Sequence, residues 1–231
     1  MERRITAVAV IFLSVFISAC ATTAVRTARD VKIEFSSPAK KILLVTPDVQ
    51  LTEITTGGLP EARADWTEAA LGFISKDIST HFEKSGAELV RADNLDNPHD
   101  AQLAKLHGVV GQAILTHAYN GVLKLPNKGD ALDWSLGPGT NEMRQRYGAD
   151  YALFVFVRDS YVSAGRAAVI GVAAVFGVGI PGGRQVGFAS LVDLRTGNIV
   201  WFNRLASGTG DLRTAAPAQS TVDNLIKGMP L

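Results

Sequence analysis

The sequence predicts an α/β fold: a mixed β-sheet with helices packed on it, ending in a β-hairpin and a C-terminal helix. Three observations carry this. Lys41-Ile42-Leu43-Leu44-Val45 and Tyr151–Val157 (YALFVFV) are continuous apolar runs, as expected of strands buried on both faces. Between them lie two stretches whose apolar residues recur at helical spacing. After them, two strand-like segments, Gln185–Leu194 and Asn198–Leu205, flank Arg195-Thr196-Gly197, where the glycine suits the left-handed position of a tight turn.

The remaining elements follow in order. A short strand is expected around Leu51–Thr55, before the Gly57-Gly58 break. Leu71, Ile74, Ile78 and Phe82 predict a helix over residues 65–84, with Asp65 at its start and Gly86 just past its end. Ala87–Arg91 reads as a strand. Residues 98–119 read as a second amphipathic helix, with Leu103, Leu106, Val110, Ala113 and His117 on one face. A loose stretch, 120–139, leads to a short helix over 140–147. In the last strand, alternation puts Ile199, Trp201 and Leu205 on one face and Val200, Phe202 and Arg204 on the other. Val222, Leu225, Ile226 and Met229 predict the closing helix.

The chain opens with the marks of an export signal. Arg3 and Arg4 form a basic head, Ile5–Ile17 is apolar apart from Thr6 and Ser14, and Ser18 and Ala19 are small. Ile17-Ser18-Ala19-Cys20 resembles the lipobox of bacterial lipoproteins, in which the thiol takes a diacylglycerol and the peptidase cuts just before it. Cys20 is the sole cysteine, so no intrachain disulfide forms and no thiol remains for metal binding or nucleophilic catalysis. Residues 1–19 are therefore expected to be a signal peptide, 20–39 a lipidated tether, and 40–231 one periplasmic domain. Two or three acyl chains anchor stably where one does not. Ala21 after the cysteine, by resemblance to the usual sorting rule, implies the periplasmic face of the outer membrane. Loss of Glu2, Arg3 and Arg4 takes the net charge from +1 to zero, and no basic face is left for nucleic acid.

Gly148-Ala149-Asp150-Tyr151-Ala152-Leu153, followed after an insertion by Val192-Asp193-Leu194-Arg195-Thr196-Gly197-Asn198-Ile199-Val200-Trp201, resembles a pattern of periplasmic lipoproteins. It is similar to proteins of the TolB amino-terminal-domain and curli-secretion (CsgG) type, an architecture shared by activator lipoproteins of penicillin-binding proteins. The resemblance covers residues 40–228. It implies a compartment and a fold, and a role in binding other envelope proteins or in self-assembly; it transfers no catalytic site. The long apolar insertion after Tyr161 departs from the pattern.

The chemistry-bearing patterns read as coincidences of spacing. Gly177–Gly182 matches GxGxxG, but Pro181 interrupts it, a strand rather than a helix follows, and no acidic residue lies at the required distance. Ser37-Pro38-Ala39-Lys40 matches SxxK without the partner motifs of penicillin-recognising enzymes. His81, His99, His107 and His117 form no i,i+4 chelating pair, and His117 reads as a hydrogen-bonded core histidine. Asp130 with Asp133, and Asp150 with Asp159, read as solvated loop or strand-end residues. No catalytic residue, metal ligand or cofactor site is therefore expected. The alternative, a cell-wall hydrolase or other envelope enzyme, would need a nucleophile or metal cluster that the sequence does not display.

The unusual element is Ala167–Gly183, uncharged throughout and flanked by Arg166 and Arg184. It falls short of the roughly 20 apolar residues of a membrane-spanning helix. Three places remain open to it: the domain's own core or surface, a contact between subunits or with another envelope protein, and the membrane. Val169, Ile170, Val172, Val175, Phe176, Val178 and Ile180 are the candidate interface or membrane-contact residues.

Overall fold

A computed structural model of the chain describes residues 21–28, 41–85, 87–120, 123–129, 131–208 and 210–230. The predicted signal peptide, Cys20, the Ser37–Lys40 motif and Asp130 lie outside the described residues. The fold is α/β, as expected, built on an eight-stranded mixed sheet. Its strands are β1 (Thr22–Thr27), β2 (Lys41–Val45), β3 (Asp48–Ile54), β4 (Pro60–Ala62), β5 (Glu88–Ala92), β6 (Tyr151–Val162), β7 (Gln185–Asp193) and β8 (Ile199–Ser207). The helices are α1 (Ala64–Ser85), α2 (Pro98–Ile114), α3 (Thr140–Tyr147), α4 (Ala164–Val175) and α5 (Ala215–Leu225).

The main path across the sheet runs β1-β8-β7-β6-β2-β5. Strand β6 organises it. One edge pairs antiparallel with β7 from Tyr151↔Asp193 to Asp159↔Gln185. The other edge is shared in series by two parallel strands, β2 over Tyr151–Leu153 and β3 over Phe156–Val162. Thr46-Pro47 separates the two, and the missing N–H of proline explains why the ladder breaks there. In an open α/β sheet the crevice beyond the carboxyl ends of the strands is the usual ligand site. Here β3 continues the line of β2 and fills that crevice on the β6 side.

Two cores sandwich the sheet. On one face, Ala70, Ile74, Ile78 and Phe82 of α1 and Ala218, Val222 and Leu225 of α5 pack on Leu44, Leu153, Val155, Leu191 and Trp201. On the other, Leu103 and Ile114 of α2 and Met143 of α3 pack on Leu43, Phe154, Phe188 and Phe202. Asn203, fully buried, donates from Nδ2 to the carbonyls of Asn224 (2.7 Å) and Leu225 (2.9 Å), satisfying acceptors that the end of α5 would otherwise leave unpaired.

The hairpin turn forms as expected. Gly197 has φ +79°, its N–H donates to Asp193 O (2.7 Å), and Asp193 Oδ1 accepts from Arg195 N (2.8 Å). A β-bulge corrects the predicted phase of β8. Val192 pairs with Ile199 but Leu191 with Trp201, so Val200 is the extra residue. Ile199 consequently joins Phe202 in one core, while Trp201 and Leu205 lie in the other.

Two further expectations change. Residues 22–27, read as part of a tether, form β1 and pair with β8 from Thr22↔Ala206 to Thr27↔Trp201. The predicted 98–119 helix becomes α2, capped by Asn97 Oδ1 accepting from His99 N (2.9 Å), plus a wider π-helical turn over Leu115–Tyr119. Its buried face is Asp100, Leu103, His107, Gly108, Gly111 and Ile114, and Leu106 is exposed. The reason is steric and ionic. Glycines at 108 and 111 let α2 close onto Phe156 and Phe188. Asp100 meets Arg146 Nη1 at 2.5 Å and Tyr147 Oη at 3.0 Å, tying α2 to α3.

A Cβ on Gly111 would lie 2.0 Å from Phe188 Cε2. Gly111→Val is expected to destabilise the chain by about 1–3 kcal/mol or more through overpacking. Chemical denaturation of parent and variant checks this; unchanged midpoints would contradict the packing.

Candidate functional site

Helix α4 and the loop after it occupy the connection between β6 and β7. The root of this arm is pinned. Ser163 donates its N–H to Ile54 O (2.9 Å), and its Oγ caps α4 by accepting from Arg166 N (3.2 Å). On the return, Ser160 clamps Arg184: Arg184 N donates to Ser160 Oγ (3.0 Å) and Ser160 N to Arg184 O (3.1 Å). Gly165 and Gly183 allow this closeness, since a Cβ on either would lie about 2 Å from Thr56 Oγ1 or Ser160 O respectively.

Beyond the root the arm is mostly exposed. Helix α4 has no buried residue. It ends in a Schellman cap: Gly177, at φ +74°, donates to Ala174 O and Val178 N donates to Ala173 O. Of the candidate residues, Val169, Val172, Val175, Phe176 and Val178 are exposed, Val175 by 83% and Phe176 by 78%. Ile170 and Ile180 are half-buried. The core is thus excluded as the arm's place. A helix that is apolar all round is ordinarily buried in a protein or a membrane, and α4 has neither from its own domain. No helix among the described residues is long and apolar enough to cross a membrane.

Other chemistry sits elsewhere. Among the described residues no cluster of histidine and carboxylate side chains is arranged to hold a metal ion. Gly177–Gly182 lies in the exposed return of the arm and leads into β7, not a helix. His117, expected in the core, is only half-buried and bonds Leu123 O through Nδ1 (2.7 Å). His107 takes the core position instead. Its Nε2 lies 2.9 Å from Ser190 Oγ, and its ring stacks on Phe154. Burial pushes its pKa down to about 3, which keeps it neutral. A serine–histidine pair is the geometry of an activated nucleophile, but both residues are sealed between α2 and the sheet, beyond reach of a substrate. A groove of about 760 Å³ runs between α1 and the ends of β2 and β5. Its Arg91 is spent on Asp93 (2.7 Å) and Ser79 (3.0 Å).

Asp159 overturns its expected solvated position. It is 2% exposed at the β6 end nearest the arm, and its Oδ2 accepts from the Tyr161 hydroxyl and from Gln185 Nε2 (2.8 Å). Tyr161 Oη in turn accepts from Leu212 N (2.7 Å), and Thr221 donates to Gln185 Oε1 (3.1 Å). Strand alternation at Arg158-Asp159-Ser160 hid this, because polar residues on both faces look like a strand end. The network fastens the α5 side of the domain to the root of the arm. Burial pushes the Asp159 carboxyl above its ordinary range, against the pull of the Tyr161 and Gln185 hydrogen bonds. With a folded pKa above the unfolded value near 3.8, the relative stability this group confers is full at acid pH and falls as pH rises through the folded value. Asp159→Asn should therefore remove a loss of stability that sets in as pH rises above the unfolded value near 3.8. Melting of both chains from that pH upward checks it; parallel profiles would contradict the shift.

No family model matches the chain, and no curated protein matches it. Among solved structures, it is similar to the PelC dodecamer from Paraburkholderia phytofirmans at 11% identity and a TM-score of 0.41, over 90% of this chain and 95% of that one. A PelC point variant from the same organism, also a dodecamer, gives 12% identity and a TM-score of 0.43, over 92% and 98%. Likeness at this level carries no argument here.

Proposed function

We propose that the chain is a non-catalytic, lipid-anchored envelope protein on the periplasmic face of the outer membrane, acting in protein binding or assembly. The observation that carries this is the exposed apolar arm: five large apolar side chains displayed on one long connection between adjacent antiparallel strands. A few polar residues would join β6 to β7. Apolar surface costs about 25 cal/mol per Å² when left in water, so an uncovered arm is a standing aggregation liability.

The lipobox-like Ile17–Cys20 and the sole cysteine support the anchor. The resemblance to TolB amino-terminal-domain and curli-secretion lipoproteins supports the compartment and the assembly role. Against an enzyme stands the condition of the described polar groups: the serine–histidine pair is sealed, Asp159 is consumed by its own network, and Arg91 is paired.

Two measurements test the reading. Cells fed labelled palmitate should incorporate it into the parent and not into Cys20→Ser; label retained by the variant would contradict the anchor. Val175→Asp combined with Phe176→Asp should leave the domain folded at a cost of about 1–2 kcal/mol, which arises from two carboxylates facing the helix C-terminus and not from lost burial, since neither side chain is buried. The same variant should lose crosslinks that the parent forms in intact cells. An unfolded variant would return the arm to the core, and unchanged crosslinks would remove the contact.

A further inference from the structure

We infer that α4 and its loop rest in the bilayer that carries the lipid anchor, as a second, protein-borne membrane contact. This deepens the reading above and rests on its anchor at Cys20.

The register of the sheet carries the inference. Thr22 pairs with Ala206, Ala206 with Val186, and Val186 with Arg158, so these four residues form one row across β1, β8, β7 and β6. Strand β1 runs antiparallel to β8 and β6 antiparallel to β7. The start of β1 and the end of β6 therefore lie at the same end of the sheet. From that row, Cys20 is two residues back from Thr22, a reach of at most about 7 Å. Toward the same end β6 continues four residues past Arg158 to Val162, about 13 Å, before α4 begins at Ala164. Three strand spacings, about 14 Å, separate β1 from β6. A lipid on Cys20 thus holds this end of the sheet against the membrane with almost no slack, and the arm leaves from the same end.

Other features of that end agree. Strand β3 runs parallel to β6, so the turn after Ile54 lies there too, and it displays Leu59 at 70% exposure. This turn touches the arm's root, where a Cβ on Gly58 would lie 3.3 Å from Arg166 Nη1. Arg166 and Arg184 bracket the apolar stretch, placing one cation at each foot of the arm, where lipid phosphates would lie. Helix α4 has 12 residues, about 18 Å, too short to span and of the length of interfacial or re-entrant segments. A second copy bound to the arm would have to share the gap that the anchor closes.

The test uses the full-length chain with Cys20 lipidated, reconstituted in vesicles of phosphatidylethanolamine and phosphatidylglycerol. Val175→Cys and Phe176→Cys are labelled with an environment-sensitive fluorophore, and Val109→Cys on α2, 68% exposed, is the reference. Nitroxide-bearing lipids should quench the labels at 175 and 176 several-fold more than the label at 109, with blue-shifted emission. Labels at 175 and 176 as wet as the reference would overturn the inference. Labels that are shielded, unquenched by lipid and crosslinked between copies would also overturn it, while leaving the contact reading in place. Absence of palmitate at Cys20 would instead locate the failure in the anchor.

Discussion

Strand β6 is the constraint on which the rest of the structure depends. Twelve residues long, it is flanked by β7 on one edge and by β2 and β3 in series on the other. Each consequence follows from that placement. The series arrangement fills, on the β6 side, the crevice where open α/β sheets receive ligands, and leaves the groove beside α1 at the ends of β2 and β5. The length of β6 carries it beyond the last β7 pair at Gln185, so the connection to β7 starts clear of both cores. Alternation along β6 feeds both: Leu153, Val155 and Val157 face α1 and α5, while Ala152 and Phe154 face α2.

The second face shows how polar chemistry is absorbed into structure. Phe156, Phe188, Phe202 and Tyr119 form a row of ring contacts across β6, β7 and β8, with centroids 4.8, 5.3 and 5.8 Å apart. Arg158 covers the Phe156 ring at one end, and Arg26 and Arg204 cover Tyr119 at the other. His107 joins the row through Phe188, and only there does its bond to Ser190 form. These are aromatic and cation–π contacts that stiffen a sheet face.

Much of this was legible in the sequence where hydrophobic pattern and element type coincide. The buried runs at Ile42–Val45 and Tyr151–Val157, the helix faces at Ile74, Ile78 and Phe82, and the turn at Gly197 all follow from period and turn chemistry. What escaped has physical causes. Thr22–Thr27 is a polar strand at the edge of the sheet among the described residues, paired with β8, and its composition does not differ from a tether. The phase of α2 was set by what glycine permits and by the Asp100–Arg146 pair, neither of which a hydrophobic pattern records. The bulge at Val200 shifts the alternation by one residue. Of the candidate site, the sequence showed an apolar stretch with three open places; the exposure of Val172, Val175 and Phe176 removes the core.

The central claim is that the arm, rooted in its own domain and mostly exposed there, is covered from outside. Hydrogen exchange of the full-length chain on membranes tests this most directly. The account predicts that amides of Val169–Val175 exchange slowly, as those of β6 do, although their own domain leaves the side chains exposed. Exchange there as fast as in the exposed turn at Pro126–Gly129 would mean that nothing covers the arm, and would contradict the account.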